Sequence, residues 1–135
     1  MTAPPVIVVH GPAHARAALT AAAGRPLILL SPAGAAGLHG VVWWLRLLET
    51  IREEFPAAPF TGALDCADGP GWAMAALRMG AERIVLAGHG PAWEAVKLAA
   101  EQIGAWGEGR WGSDALDLLG VPDPGSACRD FLKNR

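Results

Sequence analysis

The chain has 135 residues, 52% hydrophobic and 18% charged, with 11 Lys plus Arg against 13 Asp plus Glu for a net charge of -2. A composition this apolar excludes a disordered chain, and the length suits one domain with a real core. The charge balance lacks a basic stripe and argues against nucleic acid, while two cysteines without paired spacing make neither a disulfide scaffold nor a zinc site. No apolar run approaches the ~20 residues needed to cross a bilayer, and residues 6–9 are too short a run for a secretion signal, so a soluble cytoplasmic protein is expected.

Residues 6–9 are β-branched throughout, which suits a strand buried on both faces, and Pro4 and Pro5 keep any helix from running into it. Gly11 and Pro12 turn the chain into an alanine-rich helix over residues 13–23, stopped by Gly24 and Pro26. The second strand, residues 27–30, leads through Ser31 and a glycine-rich turn to a helix over residues 41–55. Val41, Trp44, Leu45, Leu48, Ile51 and Phe55 form its inward stripe. Val42, Trp43 and Leu47 fall outside it, an apolar surplus that points to burial against a second subunit.

The third strand, residues 60–64, is weakened by Gly62, whose missing side chain allows close approach of a helix or a ligand. A turn over residues 65–71 precedes a helix over residues 72–79. The fourth strand, residues 83–87, ends in Gly88, His89, Gly90 and Pro91, and a helix follows over residues 92–103. Residues 105–112 read as a glycine and tryptophan loop, a clasp or a lid, with no fifth strand. A short helix over residues 113–119 and a last one over residues 126–133 complete a tail that packs on the domain or on a partner chain.

These elements predict a single α/β domain over residues 1–135, with β/α units in residues 1–104 and a loop and helical tail in residues 105–135. The expected architecture is a three-layer sandwich around a four-stranded, mainly parallel sheet, Rossmann-like or flavodoxin-like. Right-handed crossovers put all strand ends on one edge, where ligands of open α/β sheets bind. In the order 2-1-3-4 the crevice lies between strands one and three, and His10 faces Cys66. In the order 3-2-1-4 it lies between strands one and four, and His10 sits nearest His89.

Cys66 stands between a strand end and a helix start, where amides and the helix dipole lower a thiol's pKa, although Asp65 and Asp68 beside it act the other way. One reading makes Cys66 a nucleophile with His10 or His89 as base, in a hydrolase or transferase whose glycine-turn amides hold the oxyanion. The other makes it a small buried cysteine. His89 and His10 share the neighbours Gly and Pro, which leave room for a ligand, whereas His14 and His39 read as surface or helix-start residues. Ser31, Asp65, Asp68, Gly88 and Gly90 line the same edge as ligand contacts.

No dinucleotide fingerprint or P-loop is present, so no cofactor is identified, and no local ligand spacing supports a metal. The expectation is a protein that binds a small anionic ligand at the carboxyl ends of its strands, with the Cys66 enzyme as the alternative. Self-association through the helix at residues 41–55 or through the tail is expected beside it.

Overall fold

The computed structural model describes residues 3–107 and 111–135. Strands β1 (Val6–Val8), β2 (Leu27–Leu30), β3 (Phe60–Asp65), β4 (Arg83–Val85) and β5 (Leu116–Asp117) form one parallel sheet in the order β4-β3-β2-β1-β5. The helices are α1 (Pro12–Ala22), α2 (Ala35–Leu38), α3 (Val41–Glu54), α4 (Pro70–Arg78), α5 (Pro91–Gln102), α6 (Trp111–Asp114) and α7 (Pro124–Lys133). The α/β class and the four aliphatic strands match the expectation. The sheet has a fifth strand, and its order is neither of the two anticipated.

Alternation along the strands sorts the core into two faces. Ile7, Val9, Leu27, Leu29, Leu64 and Ile84 point to one side, where they join buried residues of α1 to α5 and α7 in a single cluster. The helices lie there as a layer in the order α7-α1-α3-α4-α5, matching the strands beneath. On the other side Val6, Val8, Ile28, Leu30, Ala63 and Val85 form a smaller cluster against Trp111 and Ala115. The three-layer expectation is therefore corrected: among the described residues the second outer layer shrinks to the single turn α6 and Ala115. Each fully buried Leu or Ile contributes ~1.5–3 kcal/mol, so the helix-covered face carries most of the stability.

The central place of α3 explains its broad apolar surface. With α1 and α4 on its two flanks, Leu47 is buried within its own chain, while Val42 is exposed and Trp43, Leu45 and Phe55 are half-buried. The tail likewise packs on its own domain, with Cys128 and Leu132 of α7 buried against α1.

The helix expected over residues 113–119 is replaced by α6 followed by β5. Leu116 and Asp117 pair with Ile7 and Val8, Leu118 N–H donates to the Val8 carbonyl at 3.2 Å, and the Leu118 side chain is fully buried. That anchor, more than strand propensity, holds the two residues in the sheet. In the preceding loop Trp106 bridges to Ile84, extending the sheet beyond β4; residues 108–110 of that loop lie outside the described residues. Among the described residues no helix is long and apolar enough to cross a membrane.

Candidate functional site at the carboxyl edge

Helices α1, α3, α4 and α5 run antiparallel to the strands and so begin at the carboxyl edge. Their N-caps are Gly11, Gly40, Gly69 and Gly90, and none has a side-chain cap hydrogen bond. By contrast α7 is capped by Asp123, whose carboxylate accepts the Ser126 N–H at 3.1 Å. No acidic residue stands in the first turn of α1, α3 or α4, and α5 has Glu94. Uncapped first-turn amides concentrate partial positive charge along this edge.

The chain's four histidines lie along the same edge, His10 and His14 together and His39 and His89 on separate loops. His10, His39 and His89 each immediately precede a cap glycine, and His14 lies in the first turn of α1. Beside Pro12 at the start of α1, a cavity of about 260 Å³ runs along the first three turns of α3, lined by Trp43, Arg46, Leu47 and Thr50. The His39 ring packs on Trp43 at 4.7 Å.

At the β1/β5 end, His10 Nε2 and Asp117 Oδ1 are 2.7 Å apart, and the same oxygen accepts the Leu119 N–H at 3.0 Å. The His10 side chain is 20% exposed and that of Asp117 56%. His14 Nδ1 accepts the His10 backbone N–H at 3.0 Å, and the two rings meet edge-on with centroids 5.7 Å apart. Burial holds His14 below the usual imidazole range, the neighbouring His10 adds to this, and Asp117 opposes it. His14 is thus more than a surface residue.

The expected meeting of Cys66 with His10 does not occur. Strand β2 separates β1 from β3, so His10 stands away from Cys66, and β4 lies still farther from β1, so His10 is not beside His89 either. Cys66 is 2% exposed within the helix-side core, with its thiol directed at the Leu64 carbonyl 3.7 Å away. Burial pushes that thiol up to about 12, with the Asp65 carboxylate acting in the same direction. A thiol held protonated and enclosed lacks what a nucleophile needs.

Asp65 and Ser31 tie loops together. Asp65 Oδ1 accepts the N–H groups of Gly34 at 3.1 Å and Ala67 at 2.8 Å, bridging the turn after β2 to the turn after β3. Its own N–H donates to Ser31 Oγ at 2.8 Å, and that hydroxyl donates to the Pro32 carbonyl at 3.0 Å. With Ser31 1% exposed, both residues are engaged in structure. Asp68, Gly88 and His89 are exposed on the loops after β3 and β4, Gly90 is half-buried, and both glycines have positive φ, at 112° and 106°.

Trp106 stacks edge-on against Trp93 at 5.5 Å, and Trp111 packs on the opposite sheet face, so neither forms a lid over the strand ends. Among the described residues no group of three or more His, Cys, Asp or Glu is placed to hold a metal ion. Asp117 escaped sequence reasoning because its importance depends on β5 lying beside β1. The repeated His-Gly pairs at 10–11, 39–40 and 89–90 were the available signal for the rest. No protein-family model matches the chain, and no curated protein matches it significantly.

Proposed function

We propose that the protein binds a small anionic ligand at the carboxyl ends of its parallel strands. The carrying observation is the row of four glycine-capped helix starts, three of them preceded by histidine. First-turn amides without a side-chain acceptor suit a phosphate or carboxylate, and an imidazole offers a further N–H. Asp65 and Asp117 detract little, because backbone amides and His10 already engage their carboxylates. Arg46, which lines the cavity along α3, adds a positive charge near this edge.

Two free, buried cysteines accord with a reducing cytoplasmic setting. Val42, 48% exposed, with the half-buried Trp43, is the part of α3 left for contact with a second copy. Nothing in the geometry favours the cysteine-dependent hydrolase or transferase.

Calorimetric titration with inorganic phosphate tests the reading. Saturable binding that weakens with added salt is expected. Ala13→Glu and Ala92→Glu place a carboxylate in the exposed first turns of α1 and α5. Each should stabilise the fold by ~0.3–1 kcal/mol and yet weaken phosphate binding, because the new charge occupies the positive end of the helix. Phosphate affinity unchanged in both variants would remove the edge as the site.

A further inference from the structure

We infer that His10 and His14 form a proton-transfer site able to hydrolyse small esters, with His10 as general base and Asp117 as its positioning residue. The inference rests on the anion-binding reading only for which esters are preferred. An ionised carboxylate can only accept hydrogen bonds, so the 2.7 Å contact to Asp117 requires a proton on His10 Nε2. In the neutral ring that leaves Nδ1 as the basic nitrogen. The Leu119 N–H, 3.0 Å from the same carboxylate oxygen, fixes the carboxylate from its own loop.

His14 has the same tautomer but, among the described residues, leaves its other nitrogen free. Its Nδ1 accepts the His10 amide at 3.0 Å, so the neutral ring carries its proton on Nε2, as a donor. A base and a donor therefore stand on rings 5.7 Å apart, one at the end of β1 and the other in the first turn of α1. Both are partly buried, which strengthens their hydrogen bonds while leaving solvent access.

In the reaction, water gives a proton to His10 Nδ1 as its oxygen bonds to the ester carbonyl carbon. The carbonyl oxygen takes up the electron pair and accepts the Nε2–H of His14. Collapse of this intermediate re-forms the carbonyl and breaks the bond to the alcohol oxygen, which takes the proton back from His10. The products are the acid and the alcohol, and His10 returns to its starting state.

The experiment follows absorbance on hydrolysis of 4-acetoxybenzoate, which is anionic, and phenyl acetate, which is neutral, against free imidazole at equal concentration. Saturable turnover above imidazole is expected, with 4-acetoxybenzoate preferred. His10→Gln should lower kcat about 100-fold, as for loss of a general base. Asp117→Ala, which removes the acceptor, should lower kcat with KM little changed, and long-range proton–nitrogen spectra should show His10 no longer held in the Nε2–H form, whereas Asp117→Asn, whose amide oxygen can still accept, should restore that form. In the unaltered protein those spectra should find both His10 and His14 protonated on Nε2.

Turnover no faster than imidazole, full activity in His10→Gln, or a His10 proton on Nδ1 overturns the proposal. Equal turnover of the two esters with the His10 dependence intact supports it and removes the anion reading instead.

Discussion

The thiol of Cys66 shows burial outweighing a helix dipole. Its position between β3 and α4 suggests an activated cysteine, but the side chain turns into the core, and desolvation together with Asp65 raises its pKa from 9.0 to about 12. Between those values the unfolded chain releases a proton that the folded chain retains, so stability should fall as pH rises from 9.0 towards 12. Urea unfolding at increasing pH should show this loss, and Cys66→Ala should reduce it to the part left by Cys128, whose thiol burial also raises. Iodoacetamide should modify the native protein only as fast as it unfolds; rapid labelling at neutral pH would contradict the enclosed thiol. At this scale the sequence revealed residue types and loop positions. It did not reveal that Asp65 and Ser31 spend their polar atoms on neighbouring loops, or that Asp117 meets His10.

Gly62 illustrates what was legible in an element and what was not. Its lack of a side chain announced a close approach, and the structure identifies the visitor as Leu48 of α3, with which a Cβ at position 62 would collide. Glu82 holds the same stretch of β3, accepting the Gly62 N–H at 2.9 Å while paired with Arg52, whose guanidinium lies 4.1 Å above Phe60. Gly62→Ala forces Leu48 and α3 outward and should cost ~1–3 kcal/mol in urea unfolding, as overpacking does. A stability equal to the parent would show that α3 shifts freely. Strands β1 to β4 were readable because each is an aliphatic run bounded by turn residues. Strand β5 was not, since two residues ending in an aspartate carry no periodicity and pair only because Leu118 is anchored beneath them. The surplus on α3 was readable as apolar width, but a neighbouring helix and a second subunit produce the same pattern.

Seen whole, the molecule is lopsided, with its long helices on one side of the sheet and a short cover on the other. That cover, β5 and α7 all come from the last 25 residues, 111–135. A chain ending at Gly107 would uncover Val6, Val8, Ile28 and Leu30 on one face and strip Cys128 and Leu132 from α1 on the other. It should lose near-ultraviolet circular dichroism and a cooperative urea transition while keeping helical signal. A sharp transition in the shortened chain would mean that residues 3–107 fold alone. Strand order stayed hidden because several orders bury the same aliphatic runs equally well.

The order in which strands sit in space has a bearing on synthesis. From β1 to β4 every new strand docks beside the one made just before it, so a growing polypeptide can add layers as it leaves the ribosome. The exception is Leu116, which must travel back past all of them to find Ile7. Closing that circuit brings Asp117 to His10, so whatever the pair does begins only after residues 116–119 have been made and have reached β1.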